Sequence, residues 1–576
     1  MRKYQQVARQ LTAVERTASS DPRLRRLLAA APMVVLFALL NVRPVRAACT
    51  LSPSPDPTVD GSSASLRAAI ETANASTEDC VINLATGTYT LTIKNTDGQD
   101  DTAAEGDLDI TAPGQTVTLQ GAGRRLSIVN ANGIDRAFQV LGGANAVFRD
   151  LTIEGGVAQD DGTAGALAGS TEAEGGGILV QDGGHVLLSR VWLTNNQAIG
   201  GLGTQTGSFL DGIIGGAAAG GGLFLSAGTI QLTNSKVFGN TATGGAGARG
   251  FFGGSTVCLV CGTFYGGAGG SGEGGGLYVL SGNVAVSTST LSGNNATGGA
   301  GGLSEAPGTS NYQLTGPPGN GGAAEGAGLF LASGTVTVGQ TTLSGNVATG
   351  GIAGYIPYAN YTGASGSALG AAGSIASGNL RLTNSTLFGN TAENGTFGYG
   401  GTVAGGGLYA GGGSLELKGV TVASNQALAT SGRLSPIPSS GGGIANAGAT
   451  NLLINTTLIA NNTQNSGNPD NGADVSGAIT ASFSLIGQSA GATITDDGHN
   501  LLDVNPVLDP LGLRSNGGPT QTVALESGSP AIDAGDNPIC AAAPPRGLGG
   551  IDQRSFARSD SAGDHCDIGA FEVQAP

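Results

Sequence analysis

Apolar and polar residues alternate in short runs along most of this chain, and the runs recur at fixed distances from an asparagine. The stretch GGGLFLSAGTIQLTNSKVFGN, residues 220–240, has six counterparts that align with it between an opening small residue and a closing asparagine. Aliphatic residues spaced two apart have the period of a β-strand that buries one face. Each repeat therefore predicts about three short strands joined by tight turns.

Seven repeats share this pattern, while the segments between them vary in length. They begin at Gly175, Gly220, Gly274, Gly326, Ala371, Gly405 and Gly441. They end at a structural column of asparagines: Asn196, Asn240, Asn294, Asn346, Asn390, Asn425 and Asn461. Aliphatic residues stand three, eight and ten positions before the asparagine, with Asn451 as the exception. The offset within a repeat is 19 to 21 residues, whereas 15 to 34 residues separate consecutive repeats.

A repeat of this size cannot bury its apolar face alone, so consecutive repeats are expected to stack as coils of a parallel β-helix. Equivalent residues would then form columns about 4.8 Å apart, in which an asparagine amide can bond to the copies above and below. A change of length inside a repeat would break this register, so we expect the connections to leave one corner as variable loops. With further strand-like runs at 81–153 and 473–495, about 11–13 coils are predicted.

A short amphipathic helix is predicted ahead of the stack. The segment SLRAAIETANA, residues 65–75, places Leu66, Ala69, Ile70 and Ala73 on one helical face. Such a helix could close the first coil, which would otherwise expose pairing edges to other chains.

The first 47 residues are interpreted as a signal peptide. Arginines precede the apolar run LLAAAPMVVLFALL, and the small residues of VRAAC follow it. Because this run is too short to cross a membrane, we expect no integral membrane segment once the signal is removed. A retained anchor and a lipid on Cys49 are the alternatives.

Six cysteines agree with an exported protein, because disulfides persist in oxidising compartments. Two pairs lie near the ends of the mature chain, and one C-x-x-C motif lies in a glycine-rich insertion, where a local disulfide is favoured over a zinc site. The candidates for disulfide bonds are Cys49, Cys80, Cys258, Cys261, Cys540 and Cys566.

Composition and charge exclude several function classes. Glycine contributes 104 residues and charged side chains only 11%, unlike an ordinary α/β enzyme. The net charge is −16, and residues 1–46 hold nine Lys/Arg and two Asp/Glu, so the remainder carries −23. This charge argues against nucleic acid or an anionic membrane as a partner.

Titratable residues do not form a recognisable catalytic set, and no catalytic residue is assigned. The acidic stretch 97–109 offers oxygen ligands for calcium through Asp97, Asp100 and Asp101, with a solvated acidic loop as the favoured interpretation. No other cofactor is expected. The histidines are far apart in sequence and are interpreted as surface or turn residues: His185, His499 and His565.

Tyrosines are concentrated in the connections between repeats. Six of the ten lie there: Tyr265, Tyr312, Tyr355, Tyr358, Tyr361 and Tyr399. Aromatic side chains on one face could bind a glycan or a surface protein. Packing of one loop on another is the alternative, and the protein is expected to be a monomer.

Several segments resemble a known bacterial family. These are SASLRAAIETAN near the mature start, EGDLDI, GANAVFRDLTIEGG, SNGGPTQTVALESGSPAIDAGD and DQRSFARSDSAGDHCDIGAFE. They are similar to secreted right-handed parallel β-helix proteins with a CSLREA-like N-terminal segment and a choice-of-anchor Q-like C-terminal region. The repeats resemble those of polymorphic outer-membrane proteins. The cysteine of the CSLREA segment is replaced near Ala64.

The resemblance implies an all-β, pectate-lyase-like solenoid in an exported, adhesin-like protein without an established chemistry. We predict a signal peptide at 1–47, an N-terminal cap segment at 48–80, a parallel β-helix at 81–495 and a C-terminal region at 496–576 that caps the solenoid. The predicted function is a non-catalytic binding or structural module, secreted or on the cell surface, with outer-membrane association as a variant. A polysaccharide lyase or glycoside hydrolase of the pectin-lyase-like fold is the alternative.

Overall fold

Alternating apolar residues build long ladders of parallel strands in the computed structural model. It describes residues 49–204, 209–252, 265–304, 316–356, 361–396, 398–430, 438–466, 472–558 and 565–574. Strands from successive coils pair in parallel to form these ladders, and the chain winds as a right-handed parallel β-helix. The predicted fold class is therefore confirmed.

Three ladders enclose the apolar core. Ladder 1 consists of Cys49–Leu51, Cys80–Leu84, Thr116–Gly121, Asn145–Arg149, His185–Ser189, Thr229–Thr233, Asn283–Ser287, Thr335–Gly339, Asn379–Phe388, Ser414–Ala423, Asn451–Asn455, Val475–Ser482 and Ala492–Asp496. Ladder 2 consists of Gly87–Thr90, Ser127–Asn130, Thr152–Glu154, Trp192–Thr194, Lys236–Phe238, Thr290–Ser292, Thr342–Ser344, the second halves of Asn379–Phe388 and Ser414–Ala423, Leu458–Ala460, Leu485–Ile486 and Leu501–Leu502. Ladder 3 consists of Leu108–Ile110, Phe138–Val140, Ile178–Val180, Leu223–Leu225, Leu277–Val279, Leu329–Leu331, Gly373–Ile375, Leu408–Ala410, Ile444–Asn446 and the start of Val475–Ser482.

Two further ladders flank the segments between repeats. Ladder 4, directly after the asparagine column, consists of Val157–Ala158, Gln197–Ile199, Thr241–Thr243, Asn295–Thr297, Val347–Thr349, Thr391–Glu393, Gln426–Leu428 and Thr463–Gln464. Ladder 5, directly before the GGG segments, consists of Ala173–Glu174, Ala218–Ala219, Gly272–Glu273, Ala324–Glu325, Ala368–Leu369, Val403–Ala404 and Ser439–Ser440. Two antiparallel pairs lie further out: Phe209–Leu210 with Phe251–Phe252, and Tyr355–Ile356 with Tyr361–Thr362.

The aliphatic columns face inward and lie in register. Leu193 is paired with Val237, and Val237 with Leu291, on successive coils of ladder 2, and all three side chains are buried. Because the alternation puts every second residue of each strand inside, these columns form one continuous core cluster. The stack of coils that the sequence predicts is therefore present.

The asparagine column is buried and joins the coils at the corner after ladder 2. The Nδ2 of Asn294 donates to Oδ1 of Asn346 at 3.0 Å, and Nδ2 of Asn240 donates to Oδ1 of Asn294 at 3.1 Å. Six predicted residues take part in this pattern: Asn196, Asn240, Asn294, Asn346, Asn390 and Asn425.

The seventh predicted residue, Asn461, does not belong to the column. Asn425 donates instead to Asn462, and Asn461 is exposed with a positive φ of 60°. One extra residue in the turn at 447–450 shifts the register, so that Leu452 rather than Asn451 lies opposite Leu415. The correct register thereby removes the exception in the aliphatic columns.

The start of the fifth repeat also differs by one residue from the sequence alignment. Gly370, with φ of 59°, occupies the position of the other opening glycines, which all have φ between 56° and 68°. The predicted start, Ala371, is the next residue. Glycine adopts this left-handed conformation at the least cost.

A second polar column lies at the turn between ladders 1 and 2. The hydroxyl of Ser289 accepts from the backbone N–H of Ser235, and that of Thr341 accepts from the N–H of Ser289. Ser385 continues the pattern on the next coil. These residues stand five positions before the column asparagines, so the alignment of the repeats already brings them into one column.

The N-terminal helix lies where it was predicted, at Leu66–Asn74, with Ser65 as its N-cap. It buries the predicted apolar face on the first coils. Arg67, also buried, donates to the carbonyls of Ala103, Gly106 and Asp107 at 2.8 to 2.9 Å. A short 3₁₀ helix, Pro57–Val59, precedes it.

Two disulfides secure the ends of the described chain. Cys49 is bonded to Cys80, its register partner in ladder 1, so paired strands begin before residue 81. Cys540 is bonded to Cys566, next to the short helix Asn537–Ala541. Cys258 and Cys261, like the predicted signal peptide, lie outside the described residues.

The C-terminal region packs along the side of the last coils, where the sequence predicted a cap on the end. Gln553 donates to the hydroxyl of Thr342 at 3.0 Å, Arg558 donates to Oδ1 of Asn384 at 3.0 Å, and the N–H of Ala570 donates to Thr421 at 2.9 Å. These contacts reach three successive coils. Within the described ranges, the helices are all too short or too polar to cross a membrane.

Candidate functional site: the glycine-rich layers

Between ladders 4 and 5 the chain leaves the β-helix and returns to it along two glycine-rich paths. The outgoing layer comprises residues 200–204, 244–250, 298–304 and 350–354. The returning layer comprises residues 212–217, 266–271, 319–323 and 363–367. The sequence predicts unconstrained variable loops here, whereas both layers have regular backbone bonds between coils.

Hydrogen bonds within the outgoing layer recur every third residue. The N–H groups of Gly200 and Gly203 donate to the carbonyls of Thr243 and Ala246 on the next coil, at 2.9 and 2.8 Å. Gly244 and Gly247 repeat the pattern one coil further on. Three residues per turn is the period of a polyproline II helix, which has no internal hydrogen bonds and must pair with neighbours.

A second set of bonds joins the two layers to each other. Gly245 donates to the carbonyl of Gly216 at 2.8 Å, and Gly270 donates to the carbonyl of Gly245 at 2.8 Å. A methyl group on Gly244 would overlap the carbonyl oxygen of Gly270 in the returning layer, and one on Gly245 would overlap that of Gly201 on the preceding coil of the outgoing layer. Glycine is therefore required at these two positions, and the third position of this turn carries a side chain that points outward.

The outward positions carry exposed apolar side chains. Six residues after the column asparagine, the outgoing layer presents Leu202, Ala246, Ala300 and Ile352. Leu202 is 72% exposed and Ile352 is 48% exposed. Since successive coils repeat at about 4.8 Å, these side chains form a regular row on a backbone held by two sets of bonds.

Four of the six predicted binding tyrosines lie at or beyond the outer ends of these layers. Tyr355 and Tyr265 are 50% and 45% exposed. The backbone of Tyr361 pairs with that of Ile356, next to Tyr355. Tyr399 is half-buried and forms a bridge to Ala364. Two predicted binding residues, Tyr312 and Tyr358, lie outside the described residues.

A column of glutamates lies where ladder 5 covers ladder 3. Glu273 and Glu325 are register partners on adjacent coils, and Glu174 lies two coils before Glu273, with Ala219 between them. The hydroxyl of Ser374 donates to Glu325 at 3.2 Å. No sequence pattern predicts this column, because ladder 5 has only two residues per coil.

Stacked aromatic rings from ladder 3 line the same seam. The ring of Tyr278 lies 4.7 Å from that of Phe224 and 5.0 Å from that of Phe330, measured between centroids. Burial and the neighbouring glutamates, Glu273 first among them, raise the pKa of Tyr278 well above its usual value. The phenol therefore stays neutral and acts as a hydrogen-bond donor.

The glutamate carboxyls hold protons more tightly than usual. Burial raises the pKa of Glu174 to about 8. Repulsion from Asp161 and Glu172 also raises this pKa, whereas attraction by Arg136 lowers it. Burial and the charge of Glu273 raise the pKa of Glu325 to about 7. At neutral pH the seam therefore contains neutral carboxyls.

The predicted calcium ligands do not converge on one point. Asp97 and Asp101 are exposed, and Asp100 is half-buried and accepts from the hydroxyl of Thr102 at 2.6 Å. In the ranges that the structure describes, no three side chains of His, Cys, Asp or Glu are arranged to hold a metal ion.

Buried acids surround an arginine beside this stretch. Nη2 of Arg136 lies 2.6 Å from Asp160, and its Nη1 lies 3.7 Å from Asp107 and 3.6 Å from Asp135. Burial and repulsion from Asp109 raise the pKa of Asp107 well above its usual value. The solvated acidic loop predicted at 97–109 is therefore partly a buried charge cluster.

The three histidines remain far apart in the structure. His185 is exposed, with Nδ1 2.8 Å from the hydroxyl of Thr229. His499 stacks on Phe483, and Nδ1 of His565 lies 2.9 Å from the carbonyl of Gly535.

Comparisons with known proteins add a structural likeness. No protein-family model matches this sequence, and no curated protein matches it. A crystal structure of pectate lyase Pel9A aligns with it at a TM-score of 0.35 and 14% sequence identity, over 91% of this chain and 96% of the other.

Proposed function

We propose that this chain is an exported binding module whose ligand contacts the outward side chains of the glycine-rich layers. Two disulfides, Cys49–Cys80 and Cys540–Cys566, suit an oxidising compartment. The signal-like residues 1–47 support the same location. The protein would act as a secreted or cell-surface adhesin-like module.

The observation that carries this proposal is the row of exposed apolar side chains on a fixed backbone. Leu202 and Ile352 on the outgoing layer are 72% and 48% exposed, and Tyr355, directly after it, is 50% exposed. Contiguous exposed apolar surface marks interaction sites in soluble proteins. Because the backbone is already ordered, binding would cost little conformational entropy.

The ligand class that fits is a glycan or a surface protein. Tyrosines at the ends of the layers supply large, rigid contact area with a polar hydroxyl, which suits either. The returning layer adds Ile213 and Ile214, which are 48% and 67% exposed, beside short side chains such as Ala268. An exposed row that crosses several coils favours an extended ligand over a small molecule, which prefers a concave pocket.

A glycan array and a panel of extracellular proteins would identify the ligand of the full exported protein. Once a ligand is found, Leu202→Ala and Tyr355→Ala should each raise its Kd by about tenfold, as truncated anchor residues do. Leu511→Ala is the matched control, because Leu511 is also 72% exposed but lies in the C-terminal region. Equal affinities of all three variants would contradict the proposal.

The enzymatic alternative is tested by turnover. On the outer face of ladder 1, Glu416 pairs with Arg381 and with Lys418, the latter at 2.5 Å. Burial acts to raise the pKa of Glu416, but hydrogen bonds from these two cations outweigh burial and lower it. Unsaturated products or new reducing ends from pectin, alginate or chondroitin would favour a lyase or hydrolase and contradict a purely binding role.

A further inference from the structure

Basic residues cluster on the outer face of ladder 2, over coils that precede those covered by the C-terminal region. We call Arg124, Arg125, Arg190 and Lys236, together with Trp192, the basic patch. The guanidinium of Arg125 lies 5.0 Å from the centroid of the Trp192 ring, and that of Arg124 lies 6.0 Å from it. Both distances are typical of cation–π contacts.

Strand register brings these residues together from separate coils. Trp192 and Thr194 alternate with the core residue Leu193, so both project from the outer face. Lys236 is the register partner of Trp192 on the next coil and is exposed. The hydroxyl of Thr152, on the preceding coil, donates to the backbone carbonyl of Arg124 and holds the arginine turn against this face.

One acidic residue is engaged within the patch. Asp150 accepts from Nε and Nη2 of Arg190 at 2.7 and 2.6 Å, and the hydrogen bond from Arg190 lowers its pKa. Glu154 lies further along the strand of Thr152, and burial raises its pKa. Four cations against the carboxyl groups of Asp150 and Glu154 leave the patch positive, in a chain with a net charge of −16.

Two buried polar atoms on this face have no hydrogen-bond partner among the described residues. They are Nε1 of Trp192 and Oγ1 of Thr194, both on the strand beneath the arginines. An unpaired buried donor is costly, so such groups are commonly satisfied by water or a ligand. The indole N–H can only donate, and it therefore calls for an acceptor oxygen.

From these observations we propose that the basic patch binds a carboxylate-bearing polysaccharide. Arginine guanidinium groups recognise carboxylates through paired charge-assisted hydrogen bonds, and the free indole and hydroxyl groups supply donors for further oxygens. The charge of −23 beyond residue 46 disfavours the dense phosphate backbone of a nucleic acid. A polysaccharide with spaced carboxylates suffers less repulsion. This site is independent of the glycine-rich layers.

The test is direct binding of sodium alginate to the full exported protein, measured by biolayer interferometry at low ionic strength. Alginate esterified with propylene glycol is the matched polymer, because esterification removes the carboxylate charge. We expect alginate to bind, added salt to weaken binding through screening, and the esterified polymer to bind at least about tenfold more weakly.

Variants locate the binding site. Lys236→Gln and Arg125→Gln should each raise the Kd for alginate several-fold, up to about tenfold. Lys94→Gln is the matched control, since Lys94 is also exposed but lies outside the patch. Trp192→Phe keeps the ring and removes the N–H, so it should weaken binding without changing the salt dependence.

Three results would overturn the proposal. These are equal affinities of Lys236→Gln and Lys94→Gln, equal binding of the esterified polymer, and tighter binding of single-stranded DNA than of alginate. Circular dichroism of each variant separates a loss of binding from a loss of fold.

Discussion

Each asparagine of the column satisfies buried groups on two neighbouring coils. Oδ1 of Asn294 accepts both the N–H and the Nδ2 of Asn240, and its own Nδ2 donates to Asn346. The column ends at Asp474, which accepts from the N–H and Nδ2 of Asn462. An aspartate fits at this last position because the residue there only has to accept hydrogen bonds from Asn462. An internal residue of the column must both accept from one coil and donate to the next.

Replacing an internal column residue should therefore be strongly destabilising. Asn294→Ala leaves two buried donors of Asn240 without acceptors, and we expect it to lower the free energy of unfolding by about 3 kcal/mol or more. Asn283→Ala is the matched control, because Asn283 is exposed on the outer face of ladder 1. Urea denaturation followed by circular dichroism measures both, and equal midpoints would contradict this role of the column.

At the scale of elements, the packing of the two glycine-rich layers depends on glycine at the positions where their backbones meet. Gly244→Val would force the layers apart, because its side chain would overlap the carbonyl oxygen of Gly270, at a cost of about 1 to 3 kcal/mol. Ala246→Val, two residues later, places the same side chain at an outward position. We expect hydrogen exchange at Gly216 and Gly270 to increase in the first variant alone, since their bonds join the layers. Faster exchange in both variants would show that Ala246 does not point outward.

The ladders of the β-helix could be predicted from the sequence because each coil repeats the same apolar positions. The one-residue error at Asn461 arose where a turn gained a residue, which a gapless alignment cannot represent. The glycine-rich layers were missed for a different reason: glycine has no apolar side chain, so their three-residue period carries no hydrophobic signal. The basic patch was missed because Arg125, Trp192 and Lys236 come from separate coils.

For the whole molecule, buried carboxyls set the direction in which stability changes with pH. Burial is the main cause in each case, and it raises the pKa of Asp109 to about 7, Asp474 to about 6 and Asp567 to about 7. Glu174, at about 8, and Glu325, at about 7, belong to the seam under ladder 5. These groups lie along the whole stack, from the first coils to the C-terminal region.

We expect the folded protein to be most stable in mildly acidic solution. A carboxyl whose pKa is raised on folding stabilises the fold below its ordinary pKa of about 4 to 4.5, and this contribution is lost as the pH rises through 6 to 8. Carboxyls whose pKa is lowered on folding, such as Asp150 and Glu416, act in the opposite sense. Their contribution to stability is present at higher pH and is lost below about pH 4. The urea midpoint should therefore be higher at pH 5 than at pH 9.

Glutamine variants measure how much the glutamates of the seam contribute to this pH dependence of stability, because a glutamine side chain binds no proton between pH 5 and pH 9. Glu174→Gln and Glu325→Gln should each reduce the difference between the midpoints at pH 5 and pH 9, since a tenfold change in proton affinity corresponds to about 1.4 kcal/mol. Glu71→Gln, at an exposed position of the N-terminal helix, removes the same charge and should leave the difference unchanged. If all three variants behaved alike, net charge rather than the buried seam would account for the pH dependence, because the effect would then not depend on where the carboxyl lies.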